Sequence, residues 1–288
     1  MLDKVVINFT PTGMIPTKKI TPHVPVSVSE IIEDVHQATE LGITLVHLHA
    51  RDAQAGEPTH KKEVYGEIID GIRKYAPELV ICVSLSGRNI SELELRADPL
   101  NLEGHLKPDL GSLTLSSLNF ANSASQNSPK MVQDLAERMK EKGIVPELEA
   151  FDNGMVNYSK YLIKKKLIGP PYYFNLLLGN IAGSQANLLH TGMMINDLPE
   201  NSFWSLAGLG ADQLKMNSLS IAIGGGVRVG LEDNIWFDTK KTQLASNIKL
   251  LKRIHALAKA NGREIMTPKE LRKIMNLEPG NGKYGRHF

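Results

Sequence analysis

The sequence predicts an α/β fold, a single-domain (β/α)8 TIM barrel, on three observations. Short apolar runs alternate with helical patterns from one end of the chain to the other. The runs number eight, and several are near-continuously apolar, as parallel strands covered on both faces require. No Gly-x-Gly-x-x-Gly follows the first run, which argues against an open doubly wound sheet. The 288 residues suit such a barrel, which typically takes ~250.

The strands are expected at Val5–Phe9, Thr44–His49, Val80–Leu85, Ser112–Leu115, Val145–Ala150, Tyr172–Leu178, Ser202–Ala207 and Val227–Leu231. Helical patterns between them include Val28–Leu41, Val64–Tyr75, Pro129–Lys142, Gly154–Lys166 and Thr242–Ala260. The third strand is followed by a mixed pattern over Arg88–Lys107 interrupted by Pro99. Residues 1–262 form the barrel; residues 263–288 add a short helix and a tail to the same domain. Thr267 is placed to cap that helix and Pro268 to open it. The tail from Gly280 to Phe288 is expected to fray or to dock on a neighbouring subunit.

Composition excludes several functions. At 42% hydrophobic and 22% charged, the chain has the apolar material for a large core. A net charge of +2 gives no reason to invoke nucleic acid or an anionic membrane. There is no signal-peptide pattern and no apolar run long enough to span a bilayer. Cys82 is the single cysteine, so no intramolecular disulfide forms. A reducing cytoplasm is the expected compartment.

Val46-His47-Leu48-His49-Ala50-Arg51 carries the strongest chemical signal. Residues i and i+2 of a strand face the same way, so His47 and His49 reach toward one point. Imidazole is a good Zn²⁺ ligand, and a catalytic zinc usually takes three protein ligands. Two hydrogen-bonded core histidines are the plainer alternative. The turn-rich Asp52–Gly56 follows, so the pair ends a strand, and in a TIM barrel the active site lies at that end. The other strand ends supply Thr12 and Gly13, Ser84, Ser86-Gly87-Arg88, Ser112 and Thr114, Asn175, and Arg228 with Glu232-Asp233. Of these, Thr12, Gly13, Ser86 and Gly87 are expected to face substrate. Glu147 and Glu149 repeat the i, i+2 relation. Carboxylates inside a barrel need a cation, either a metal or an arginine such as Arg51 or Arg228. Glu232-Asp233 could give a third metal ligand and an adjacent base, or merely an acidic helix start. Glycine-rich turns at Gly179–Ser184 and Gly208–Gly210 could hold phosphates or be tight turns; Gly224–Gly226 precedes a strand and reads as structural. His23, His36, His60, His105, His190, His255 and His287 read as solvated.

These pieces together resemble a known family, the β-keto acid cleavage enzymes, typified by 3-keto-5-aminohexanoate cleavage enzyme. The resemblance runs from about Val5 to Glu270. It is carried by His47-Leu48-His49-Ala50-Arg51, Val145-Pro146-Glu147-Leu148-Glu149, Asn153-Gly154-Met155 and Arg228-Val229-Gly230-Leu231-Glu232-Asp233-Asn234. It implies a zinc enzyme (another divalent metal being the alternative) that condenses a β-keto acid with the co-substrate acetyl-CoA to give acetoacetate and a new acyl-CoA. By position it implies His47, His49 and Glu232 as metal ligands and Arg228 with Asp233 as the proton-handling pair. It also implies Glu147 as a catalytic-site glutamate and Ser84 and Ser112 as substrate contacts, Ser112 replacing a threonine. It implies a homo-oligomer, a tetramer being the favoured count. Two departures stand out. Ile15 occupies the position of a glutamate that faces an amino substrate, which implies a keto-acid tail without an ammonium, uncharged or apolar. The Gly-x-Gly-Arg of many relatives reads Gly208-Leu209-Gly210-Ala211 here, leaving Lys215 as a substitute cation for coenzyme A. A zinc hydrolase barrel and a non-catalytic metal-binding barrel are the competing readings. The hydrolase pattern places its histidine pair on the first strand and further histidines on the fifth and sixth, which contain none here.

Overall fold

The computed structural model describes residues 2–52 and 56–286. Part of the expected turn, Ala53 to Ala55, and the tail residues His287 and Phe288 lie outside the described residues. Eight parallel strands close the barrel: β1 (Ile7–Phe9), β2 (Leu45–Leu48), β3 (Val80–Val83), β4 (Leu110–Thr114), β5 (Val145–Ala150), β6 (Tyr172–Leu178), β7 (Ser202–Gly208) and β8 (Gly226–Val229). Each pairs with the strands before and after it, and β8 closes on β1 with Asn8 opposite Arg228.

Helices α1 (Val28–Leu41), α2 (Lys62–Tyr75), α3 (Leu93–Arg96), α4 (Pro129–Lys142), α5 (Asn153–Lys164), α6 (Leu188–Asn196), α7 (Gln213–Ala222) and α8 (Asn247–Ala260) follow the strands in turn, and α9 (Pro268–Ile274) ends the series. Their starts are written in the sequence. Ser27 and Glu30 form a reciprocal capping box on α1, and Thr267 and Glu270 form another on α9. Ser128 caps α4 ahead of Pro129, whose missing N–H would have no partner there. The third unit is the irregular one: α3 has a single turn, and 3-10 turns at Asp98–Asn101 and Gly104–Leu106 replace the rest. The α8 helix begins at Asn247, later than the pattern from Thr242 suggests. The Asp238 carboxylate accepts from the Thr242 and Gln243 N–H groups and folds that stretch into a turn instead.

The barrel interior changes character along its axis. Val6, Leu45, Val80, Leu110, Val145 and Phe203 form an apolar lower layer, closed from below by Met266, Leu271, Met275 and Leu277 of the α9 region. The next residues up the same strand faces are polar: Asn8, His47, Glu147, Asn175 and Arg228 are all buried. Period-two alternation thus separates wall from interior, and depth along the strand separates floor from mouth.

Up to Arg286 the tail docks on its own barrel floor. Fully buried Asp109 accepts from Arg272 at 2.8 and 2.9 Å and from the Gly285 N–H at 3.0 Å. Tyr284 donates to Pro77 O, and Arg286 to Met275 O. A buried carboxylate without such donors would be costly, so Asp109 draws the tail in.

Candidate active site at the barrel mouth

His47 lies in β2, opposite Cys82 of β3, and His49 immediately follows the strand. Their Nε2 atoms face each other at 3.3 Å. His49 Nε2 is also 3.1 Å from Glu232 Oε1. Glu232 reaches the mouth because the chain turns after β8: the Asp233 and Asn234 N–H groups both donate to Gly230 O. The sequence therefore brings together the three residues expected to ligate a metal, with ligand atoms within 4.8 Å of one another.

Behind His47, its Nδ1 bonds Glu147 Oε2 at 2.5 Å, which fixes the ring with Nε2 toward the cavity. Glu147 also accepts from Asn8 Nδ2 at 2.6 Å and from the Cys82 thiol. It is fully buried beneath the mouth and outside the cavity lining. Glu147 therefore orients a candidate ligand, and the carboxylate of β5 that faces the cavity is Glu149. Glu149 accepts from Thr114 Oγ1 at 2.7 Å and pairs with Arg228 at 3.2 Å.

Arg228 is the electrostatic hub. Its guanidinium contacts Glu149, Glu232 at 2.6 Å and Asp233 at 3.0 Å. Burial works against its charge, but these carboxylates override it and push its pKa well up. Burial raises the Asp233 and Glu149 carboxyls, with Arg228 opposing the rise. Burial would also discharge His47, yet the Glu147 carboxylate lifts it to about 9; His49, where burial prevails over Glu232, falls to about 4.

The donor set fits a divalent cation. Four carboxylic acids, the buried Glu147 and Glu149 and the partly exposed Glu232 and Asp233, surround one guanidinium and two imidazoles, an excess of negative charge that desolvation makes costly. The Oε2 atom of Glu232 is buried without a hydrogen-bond partner, and two imidazole nitrogens converge beside it. Two histidines and a carboxylate with a carboxylate behind the first histidine are a sound divalent-metal donor set. Replacing Glu147 by glutamine should weaken metal retention about 10- to 100-fold, measured by titration against a competing chelator. Unchanged retention would reduce Glu147 to barrel packing.

The other expected site residues separate into two groups. Ser84 and Ser86 line the cavity with Arg228, Asp233 and the three candidate ligands. Ser112 does not line it: its Oγ accepts from the Leu85 N–H at 3.0 Å, and Thr114, two residues on, takes the cavity position. Thr12 is fully buried with its hydroxyl unpartnered, and Gly13 packs directly against Glu232. Gly87 packs against Gln126 O and Arg96 and does not border the cavity. Arg51 pairs with no glutamate among the described residues; it ties down the loop after β1 through Gly13 O at 2.7 Å and Pro16 O at 3.0 Å. His60 departs from the solvated reading, being buried with Nε2 donating to Ser86 O at 3.0 Å, and His255 is half-buried against Gly42 O. Lys215, the candidate substitute cation, donates to Ala186 O and lines neither the cavity nor its outer extension. Residues that composition could not reveal complete the wall, chiefly Phe120 and Ser125 from a hairpin at Leu118–Asn119 and Ala124–Ser125.

Asn247 ties the loops after β1 and β8 together. At the start of α8 it accepts from the Leu231 N–H at 2.9 Å and donates to Pro11 O at 3.0 Å and to Asp34 at 2.6 Å. Burial pushes the Asp34 carboxyl up to about 6, the Asn247 bond opposing and the neighbouring charges of Glu33, Lys18 and Glu30 acting more weakly. The native state therefore holds this proton more tightly than the unfolded chain. The associated stability is present at low pH and is lost as pH rises through about 6. Relative to wild type, Asp34→Asn should gain about 1 kcal/mol between pH 4 and pH 7, discounted for partial exposure. Denaturant melts across that range test it; a flat difference would refute it.

A barrel with this polar cluster at its C-terminal mouth defines a TIM-barrel enzyme. The chain belongs to the beta-keto acid cleavage enzyme family, whose model matches residues 4–277. It is 35% identical over 281 residues to the 3-keto-5-aminohexanoate cleavage enzyme of Fusobacterium nucleatum subsp. nucleatum, covering 96% of this chain and 100% of that one. It is 34% identical to the 3-oxoadipate:acetyl-CoA acetyltransferase of Cupriavidus necator, covering 96% of each. Among solved structures it resembles ObcA with a TM-score of 0.78 at 19% identity, a likeness of fold that covers 88% of this chain and 65% of ObcA. No helix among the described residues is long and apolar enough to cross a membrane.

Proposed function

We propose that this enzyme is a zinc-dependent acyltransferase that exchanges acyl groups between a β-keto acid and acetyl-CoA, releasing acetoacetate and a new acyl-CoA. The observation that carries the reading is the arrangement of Asp233. It is clamped by Arg228, faces the cavity and stands beside the converged His47, His49 and Glu232. Relatives named as acetyl-CoA transferases of keto acids support the co-substrate.

His47, His49 and Glu232 would hold the metal, with Glu147 setting the His47 tautomer. When bound, the ion supplies Lewis acidity to the keto and carboxylate oxygens of the substrate. Asp233 takes the C2 proton as general base. Arg228 keeps the carboxylate of Asp233 turned toward the cavity through its Nε and a second nitrogen at 3.0 and 3.4 Å. Ser84 and Ser86 offer hydroxyls to the substrate carboxylate. The C2 carbanion attacks the acetyl carbon of acetyl-CoA and coenzyme A leaves as thiolate. The thiolate attacks the original keto carbon, and the bond between that carbon and C2 breaks. Acyl-CoA departs, and Asp233 returns its proton to the carbanion of acetoacetate.

The test is an acetoacetate assay across a panel of β-keto acids with and without acetyl-CoA, with metal content determined on the same sample. Acetoacetate formed only with acetyl-CoA, and about one zinc per chain, is the expected result. A metal-loaded protein that turns over no member of the panel would overturn the reading.

A further inference from the structure

Arg88 differs from the other arginines around the mouth. Arg228 is matched by three carboxylates, Arg51 by the Gly13 and Pro16 carbonyls, and Arg96 by the Leu85 and Gln126 carbonyls. The Arg88 guanidinium lies 3.7 Å over the Phe120 ring and takes no hydrogen-bond partner among the described residues; its Nε is buried. It borders the cavity that holds His47, His49 and Asp233. It also borders an outer cavity toward Asn180 and Gly210, so it stands at the neck between them. The loop that presents it is fixed. Gly87 accepts from the Gln126 N–H, a Cβ at Gly87 would overlap Gln126 O, and Ser86 Oγ accepts the Arg88 N–H.

Around Arg88 the cavity wall is apolar: Met14, Ile15, Phe120, Phe151, Leu177 and Leu209. The cavity carboxylates are engaged by Arg228, His49 or Thr114; Glu232 and Glu149 act on Arg88 only through space, with no ion pair to it among the described residues. A substrate ammonium would meet no counter-charge on this wall, in keeping with Ile15. A fully neutral tail would leave a partly desolvated guanidinium without a hydrogen-bond partner, which is costly. An apolar spacer ending in an anion satisfies both. The cavity volume of about 260 Å³ is below the usual ~300–1,000 Å³ of drug-sized sites. It takes a short acid and the acetyl end of a thioester, but not the nucleotide of coenzyme A.

We propose that Arg88 binds a second carboxylate at the far end of the keto acid, so that this enzyme acts on β-keto dicarboxylates. The proposal rests on the keto-acid reading above and replaces the expectation of an uncharged tail. Arg88 here is a specificity-determining residue; the bond-making groups are those already described.

The experiment compares 3-oxoadipate with 3-oxohexanoate, six-carbon probes that differ only at C6, in wild type, Arg88→Lys and Arg88→Leu. Wild type should favour 3-oxoadipate in kcat/KM by roughly 10- to 100-fold, as a charge-assisted hydrogen bond warrants. Arg88→Leu should abolish or invert that preference through the keto-acid KM, Arg88→Lys should keep part of it, and the acetyl-CoA KM should not move. An equal loss on both probes would put Arg88 on the carboxylate they share and overturn the proposal. A rise confined to the acetyl-CoA KM would assign Arg88 to a phosphate of coenzyme A and overturn it too. Calorimetry with adipate and hexanoate separates this from the reaction itself. If no keto acid turns over, the proposed reaction fails. Saturable adipate binding that hexanoate lacks and Arg88→Leu loses still upholds the dicarboxylate site, and its absence rejects it.

Discussion

Replacing Asp233 by asparagine should lower kcat by about 10²- to 10⁴-fold, the usual worth of a positioned general base, while leaving the metal and the fold in place. The side chain keeps its size, and one oxygen remains to accept from Arg228. None of His47, His49 and Glu232 is altered. What disappears is the carboxylate that can take a proton at the cavity wall. The informative readout is exchange of the C2 hydrogen of a keto acid in heavy water without acetyl-CoA. Wild type should catalyse it and Asp233→Asn should not, which isolates proton abstraction from every step that involves coenzyme A. Exchange at the wild-type rate in the variant would remove Asp233 from the chemistry. A variant that loses only stability would favour a metal-binding barrel without turnover. Arg228→Lys is a poor substitute for this test, because one ammonium cannot satisfy Glu149, Glu232 and Asp233 together.

The eightfold alternation was legible because it is a one-dimensional property: period two along strands, period 3.6 along helices. The histidine pair was legible for the same reason, since i and i+2 share a face whatever the surroundings. Depth along the barrel axis is not written in that pattern. Glu147 and Glu149 look equivalent in sequence, yet one strand step of two residues, roughly 6.6 Å, puts the first beneath His47 and the second in the cavity. Ser112 and Thr114 separate in the same way, paired in register with Glu147 and Glu149. The sequence pattern starts β4 at Ser112 when it begins at Leu110, and so reads Ser112 a layer too high. His60 looks like a loop histidine because nothing local says that the chain from Arg51 pairs back at Pro58 and tucks it under Ser86. The guanidinium of Arg88 is visible in sequence, but its want of a partner is a tertiary fact. It depends on a hairpin some thirty residues on that contributes Phe120.

Gly13→Ala should cost about 10²-fold in kcat/KM and much of the bound metal, although no candidate ligand is changed. Gly13 sits at φ +67°, where an alanine pays roughly 1–2 kcal/mol for the left-handed conformation. Its position is also crowded: a Cβ there would lie 2.6 Å from Glu232 Cγ and 2.9 Å from Glu232 Cα. The second contact is with backbone, so rotating a side chain does not relieve it. The loop after β1 is held by Arg51 through Gly13 O and Pro16 O, and Asn247 ties Pro11 to Leu231. The turn carrying Glu232 and Asp233 must therefore give way, and a shift near 1 Å in such a constellation is worth about two orders of magnitude in rate. Gly104→Ala supplies the control. Gly104 is at φ +58°, with no atom within 4 Å of its Cβ position. It should lose comparable stability in a thermal melt and keep full metal content and activity. If the two variants behave alike, strain alone explains Gly13. If only Gly13→Ala releases metal, the glycine is there because Glu232 needs the room that a side chain would occupy.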